Sequence, residues 1–526
     1  MRVLVSDKLA KEGLAILEKE KQLQVDVQTE LKPEELKKII KDYDALVVRS
    51  GTKVTKEIIQ AAKKLKIIGR AGVGVDNVDV EAASRQGIVV MNTPGGNTIS
   101  TAEHTLSMIL ALARSIPQAH WSLRQGRWDR KKFMGMELYG KSLGIIGLGR
   151  IGAEVAKRAM SFGMKILAYD PYLRLERAQA LQVESVTLEQ LLKNADYISV
   201  HTPLVEETKH LISDKEINLM KKGVRIINCA RGGIIDEQAL LKGIQSGKVA
   251  GCALDVFEKE PPQQSSLLQQ ENVVATPHLG ASTEEAQVNV AIDIAKQVCD
   301  GLLGRGMCNA VNVPCISAET SALIKPYINL AEKLGSLASQ LCKGRIQRLR
   351  IEYRGEISTY ETALMSAACI KGLLQPFLGE TVNYVNAQVL AKERGITVEE
   401  AKIEKIENYN NLICLVAKTD KEESAVWGTV FGKEDARIVK INKFHVETHP
   451  LGYLLVIKNR DLPGVVGDIG TLLGKNKINI AEMTFGREKP GGEAISVLNV
   501  DSVIPEQVLE QMRKAKNIFD AKLIRL

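Results

Sequence analysis

The run Leu143-Gly144-Ile145-Ile146-Gly147-Leu148-Gly149-Arg150-Ile151-Gly152 constrains this chain more than any other stretch. It sets a G-x-G-x-x-G directly after an apolar, strand-like segment and directly before a helical one, Ala153–Phe162. Such glycines allow a tight turn and a close approach of backbone to pyrophosphate, while the helix N-terminus stabilises the negative charge. Alone the motif is weak. Here the next strand-like run, Lys165–Tyr169, ends in Asp170, at the spacing expected of a carboxylate that binds the adenosine ribose hydroxyls. An acid there favours NAD and repels the 2′-phosphate of NADP. A Gly-rich turn in some other βαβ unit is the bland alternative, and the whole strand–loop–helix–strand–acid context weighs against it. NAD is therefore the expected cofactor, with Gly147, Gly149, Arg150, Ile151, Gly152 and Asp170 as contacts.

At 526 residues the chain is too long for one core and suggests three or four domains. The first half alternates β-rich runs (Arg2–Asp7, Ala45–Ser50, Ile67–Arg70, Ile88–Asn92) with helical patterns, which points to parallel sheets with crossover helices. One apolar stripe from Thr98 predicts a long helix ending before Pro117, and another spans about Thr283–Leu303. After Pro314 the character changes to an α+β segment, from about 316 to 446, with no catalytic signature. The last stretch reads βαββαβ, the ferredoxin-like order.

Other features exclude function classes. No apolar run is long enough to span a bilayer, and the N-terminus reads as a first strand rather than a leader. The eight cysteines form no C-x-x-C pair, which fits a reducing cytoplasm and gives no zinc ribbon. A net charge of +8 with 4% aromatic residues gives little support for nucleic-acid binding. No histidine pairing suggests a metal site.

Three polar residues follow strand-like runs: Arg231 in Asn228-Cys229-Ala230-Arg231-Gly232-Gly233, Glu260 in Asp255-Val256-Phe257-Glu258-Lys259-Glu260-Pro261-Pro262, and His278 in Thr276-Pro277-His278-Leu279-Gly280. Loops at the carboxyl ends of strands are where α/β sheets bind ligands. Oxidising a secondary alcohol needs a base near neutral pH, which histidine supplies. A carboxylate beside it favours the imidazolium and orients the ring, and a guanidinium fork binds a substrate carboxylate. Singly, a histidine after proline is more often structural and an acidic loop is usually only solvated; together with the cofactor motif they favour catalysis.

These four segments resemble the D-isomer-specific 2-hydroxyacid dehydrogenases. The resemblance implies His278 as base, Glu260 as its partner, Arg231 as the substrate-binding arginine, and a flavodoxin-like, discontinuous substrate domain (1–97 and 284–312) beside a Rossmann domain (98–283). Thr202 and Pro203, beside a loop-shaping His201, and Cys229, Ala230, Arg231, Asp255, His278, Gly280 and Ala281 are taken as further cofactor contacts. Cys229 reads as a packing residue rather than a redox switch. Gly69–Asp79 and Met91–Pro94 with Asn97 resemble the substrate loops of members acting on D-3-phosphoglycerate in serine synthesis. Arg49, Ser50, Arg70, Gly72, Val73, Gly74 and Asn97 are the candidate contacts. The basic loop Arg127–Phe133, Arg130 within it, reads equally as a solvated turn or as phosphate recognition, and the resemblance favours the second, in its own or a neighbouring subunit's cleft. The segment 316–446 resembles the intervening domain of long-chain members, and 452–526 resembles an ACT domain. There Asn459, Asp461 and Asn479 would contact an amino acid, serine being expected, in a homo-oligomer (dimer or tetramer). A ferredoxin-like domain that only dimerises stays open. So do another D-2-hydroxyacid dehydrogenase (for 2-hydroxyglutarate, hydroxypyruvate or glyoxylate) and a non-enzymatic NAD-sensing regulator.

Overall fold

The computed structural model describes residues 1–314, 318–404 and 408–526; the boundary expected at 316 lies outside the described residues. A five-stranded parallel sheet runs in the order Gln24–Val27, Arg2–Val5, Ala45–Val48, Ile67–Arg70, Val89–Met91. Its central strands are apolar on both faces because helices cover both. Pro33–Ile39, Lys56–Ala61 and Val80–Arg85 cover one face; Lys11–Lys19 and Glu284–Leu302 cover the other. The last two helices touch closely at Gly13, where a Cβ would lie 2.6 Å from the carbonyl oxygen of Ala291. Asn312 then hydrogen-bonds Val90 and Ile88, so residues far downstream close the first core. This is the discontinuous, flavodoxin-like arrangement.

Between the two halves sits a seven-stranded parallel sheet. Its order is Val273–Ala275, Val249–Leu254, Val224–Asn228, Tyr197–Val200, Ser142–Ile146, Lys165–Tyr169, Glu184–Ser185. The order reverses beside Ser142–Ile146, the doubly wound pattern whose switch point makes a crevice at the carboxyl edge. The first crossing helix spans Thr98–Arg114, as expected, but the chain does not leave helix there for long. Ser115 takes a left-handed φ of 49° and a second helix, Ile116–Arg124, starts with Pro117 in its first turn, where a missing N–H costs nothing.

A six-stranded mixed sheet follows, from Ile346–Gly355 to Phe444–Thr448, with only Ile346–Gly355 and Thr397–Ile403 parallel. It is covered by the helices Ala318–Leu341 and Ala363–Leu378, which close on each other at two glycines: a Cβ on Gly335 would sit 2.1 Å from the Cys369 carbonyl oxygen. The final four strands are antiparallel in the order Ile480–Arg487, Glu493–Val500, Tyr453–Arg460, Ile518–Arg525, with helices Val465–Lys475 and Glu506–Arg513 on one face. This is the ferredoxin-like fold. Its other face is not open: Leu454, Val456, Ile495, Val497 and Ile524 join the core of the preceding domain. Among the described residues no helix is long and apolar enough to cross a membrane.

Candidate active site

The expected catalytic residues and the cofactor turn lie at the carboxyl edges of parallel strands, whereas Arg130 sits on a loop after a helix and Asn459, Asp461 and Asn479 belong to the antiparallel C-terminal domain. The turn after Ser142–Ile146 shows why its three glycines are there. Gly147 has a φ of 92°, closed to most side chains, and a Cβ on Gly152 would lie 2.2 Å from the Gly147 carbonyl oxygen. At Gly149 a Cβ would meet nothing within 4 Å, so that side of the loop is open. The Asp170 carboxylate is fixed by the backbone N–H groups of Leu148 (3.0 Å) and Tyr172 (2.9 Å), with lone pairs left for hydroxyl donors. Arg150 is exposed at the helix start, and Ile151 packs beneath it. The Thr202 hydroxyl is buried without a hydrogen-bond partner. An open glycine turn, an oriented acid and an orphaned hydroxyl fit a dinucleotide. Pro203, Ala230 and Ala281 flank this edge. Cys229 is buried, and burial pushes its thiol up to about 12, which suits packing rather than reactivity. Burial draws the His201 imidazole down to about 4, so it stays neutral, 2.9 Å from Ser199 Oγ.

The catalytic candidates come together in part. His278 Nδ1 lies 2.8 Å from Glu260 Oε2, and the other carboxylate oxygen accepts the Phe257 N–H at 3.2 Å. Arg231 sits on the neighbouring loop, its Nη1 donating to the Ala230 carbonyl at 2.7 Å and its Nε 3.3 Å from Asp76. That ion pair reaches across to the first domain, so the carboxyl edges of the two sheets face one another. Gly232 locks this loop to the next: a Cβ there would lie 1.8 Å from the Phe257 carbonyl oxygen.

On the first domain, Arg70 projects over Gly72, where a Cβ would meet its guanidinium at 1.7 Å, and Gly74 clears Arg231 in the same way. Burial, then the nearby Arg231, draws the Arg70 guanidinium down to about 10, Asp76 opposing, and its Nε has no hydrogen-bond partner. Val73 accepts from Asn92 through its carbonyl. Arg49 bonds the Lys8 carbonyl, Ser50 is exposed, and the buried Asn97 Oδ1 is unpartnered. Arg130 is exposed, on a loop tied to the second domain by Ser122–Asp129 and Lys132–Glu271.

Two placements depart from a simple contact role. Asp255 has no exposed surface, and both its oxygens are engaged within the protein, by Thr276, Leu279, Gly280 and His104. Asn459 is likewise fully buried, donating to the Arg460 carbonyl and accepting from Ser496. Asp461 holds Arg487, and Asn479, which is exposed, donates to Asp501. His104 and Thr101, which no sequence motif marked, pack against the catalytic loop, His104 through Thr276 at its start and Thr101 on the Gly280 carbonyl. Among the described residues no cluster of His, Cys, Asp and Glu could hold a metal.

Residues 106–280 match the family model of the D-isomer specific 2-hydroxyacid dehydrogenase, NAD binding domain, and that is the class of enzyme this architecture and site define. Residues 323–442 match the D-3-phosphoglycerate dehydrogenase intervening domain, and 453–517 the ACT domain. Over the full length of both chains this one is 47% identical to D-3-phosphoglycerate dehydrogenases of Archaeoglobus fulgidus and Methanocaldococcus jannaschii. It is 46% identical to that of Bacillus subtilis, covering 99% of it. The chain belongs to the D-3-phosphoglycerate dehydrogenase family. Among solved structures it resembles a D-lactate dehydrogenase of Aquifex aeolicus complexed with NAD and lactic acid, with TM-score 0.54 and 30% identity over 59% of this chain and 99% of that one. A glyoxylate reductase from Paecilomyes thermophila gives TM-score 0.55 and 31% identity, over 59% and 98%.

Proposed function

We propose that this enzyme oxidises D-3-phosphoglycerate to 3-phosphohydroxypyruvate, the first step of L-serine synthesis, in the cytoplasm. The observation that carries the reading is the His278–Glu260 pair at the edge of one sheet, with Arg231 reaching from it to Asp76 on the other, where the largely enclosed Arg70 has an unpartnered Nε. Gly147–Gly152 and Asp170 would hold NAD, which would supply the hydride acceptor for C2. Glu260 fixes the proton on His278 Nδ1, which leaves Nε2 as the base for the C2 hydroxyl proton. The imidazolium that forms is stabilised by the same carboxylate. Arg231 grips the substrate carboxylate and, in the reverse direction, polarises the C2 carbonyl.

Arg70 supports a doubly anionic substrate. A largely enclosed cation, short of hydrogen-bond acceptors and crowded by Arg231, is stabilised by an arriving carboxylate or phosphate. Arg49, Ser50, Asn97 and the Gly72–Gly74 backbone would complete that site, with the basic loop around Arg130 adding cations from a neighbouring subunit. Exposed Trp121, Trp128, Met134 and Tyr139 around that loop suit contact with a second copy, in a dimer or tetramer. The domains would divide at 1–97 with 284–312, 98–283, 316–446 and 452–526. Serine would bind at the ACT domain through Asp461 and Asn479, with Asn459 shaping the strand end from within. The test is NADH formation at alkaline pH from D-3-phosphoglycerate, D-glycerate and 2-hydroxyglutarate, with and without serine. Preference for the phosphorylated acid is expected; turnover of another hydroxyacid alone would overturn the substrate assignment.

A further inference from the structure

The loop that carries His278 is held by an unusual convergence of donors. His278 itself has a φ of 57°, a left-handed conformation uncommon outside glycine, and the surrounding contacts hold it there. Three consecutive N–H groups end on Asp255: His278 on its carbonyl at 2.9 Å, Leu279 on Oδ1 at 2.7 Å and Gly280 on Oδ2 at 2.8 Å. Asp255 is therefore the fixed point of the loop. It is itself pinned from behind. Thr276 donates its hydroxyl to Oδ1 at 2.6 Å, and His104 Nε2 lies 3.2 Å from Oδ1 and 3.1 Å from Thr276 Oγ1. The Thr276 hydrogen is spent on the carboxylate, so both atoms facing His104 are acceptors and Nε2 must carry the proton. Burial works against charge on Asp255, yet these donors together hold its carboxyl below the ordinary range.

His104 does not belong to the catalytic lobe's loops at all. It sits on the crossing helix Thr98–Arg114, whose residues 101, 104, 105 and 108 share one face. On that face Thr101 donates to the Gly280 carbonyl at 3.1 Å. The helix thus grips Gly280 directly through Thr101, and its N–H indirectly through His104 and Asp255. We propose that His104 is a positioning residue for the base: its Nε2–H fixes the Asp255 carboxylate, which in turn sets the left-handed turn that aims His278. Because the helix joins the two lobes, this also ties the aim of His278 to the lobe crossing. The inference rests on His278 being the base, as proposed above.

The full-length enzyme distinguishes the two claims. His104→Gln places an amide N–H near the position of Nε2, His104→Asn cannot reach it, and His104→Leu fills the space without a donor. In Leu and Asn, kcat is expected to fall on the order of ten- to a hundredfold, the scale of a small misplacement of a catalytic group, with Gln restoring it to within a fewfold. Amide exchange across 276–282 should be faster in Leu and Asn and near wild type in Gln, and this readout needs no turnover. Equal exchange and equal kcat in Leu and wild type would overturn the proposal, as would Gln behaving like Leu in both measurements. Wild-type substrate preference reports separately on the assigned reaction.

Discussion

In the proposed mechanism His278 acts through Nε2, because Glu260 engages the other ring nitrogen. Glu260 occupies Nδ1 at 2.8 Å, so removing the ring removes base and acid together. His278→Ala is expected to lower kcat by about 10²- to 10⁴-fold while NADH affinity, followed by fluorescence titration, stays within about threefold. Near-normal turnover would sink the mechanism. The placement of Arg231, Glu260 and His278 was legible because each stands in a short motif after a strand, where local sequence reports position. His104 was not, since its partner Thr276 is 172 residues away and nothing along a helix announces a contact made only in the fold. Asp255 shows the same limit from the other side. Its place beside the site was legible, but its burial, and hence its use for holding the loop, was not. Asn459, expected as an effector contact, instead lies within the strand Tyr453–Arg460, whose alternation turns its side chain inward.

At the scale of the element, the strand–turn–helix from Ser142 to Ser161 separates folding from binding. Gly152 must be glycine for the helix to pack on the turn, whereas Gly149 has an ordinary φ of −69° and open space where a Cβ would go. Gly149→Ala is therefore expected to melt at the wild-type temperature but to bind NADH at least tenfold more weakly, because the added methyl stands where the pyrophosphate must approach. Gly152→Ala should lower the melting temperature itself. A Gly149→Ala enzyme with unchanged NADH affinity would mean the cofactor takes another path. The strand, glycines and terminal acid of this element were legible because all are local, although the helix starts at Arg150 rather than at Ala153 and takes Gly152 into its first turn. Charged edge strands such as Thr397–Ile403 (Thr-Val-Glu-Glu-Ala-Lys-Ile) gave no comparable pattern, since an exposed edge has no need of apolar alternation.

At the scale of the whole molecule, the chain divides unequally. The two lobes around the cleft fill their cores almost entirely from residues before 314, and structures with only that portion cover 59% of this chain and nearly all of their own. What docks from beyond is slight: Val385 and Leu364 against the first core, Asn383 on the Gly87 carbonyl at 2.9 Å, and an exposed Arg85–Glu393 pair at 3.1 Å. An exposed pair contributes at most about 1 kcal/mol. The ACT fold differs, because five aliphatic side chains on its helix-free face, all at most 3% exposed, are covered by the preceding domain. Exposing them would cost on the order of 10 kcal/mol, comparable to the entire stability of so small a domain. Residues 1–313 alone should therefore fold and bind NADH within about threefold of the full chain. Residues 318–526 should fold as one unit. Residues 452–526 alone should aggregate or lack a cooperative melting transition, as judged by size-exclusion chromatography and circular dichroism. A monomeric, cooperatively melting 452–526 would show that its covered face is incidental. Any signal from an effector there would then have to pass through the slight Asn383 and Arg85 contacts without a rigid block behind them.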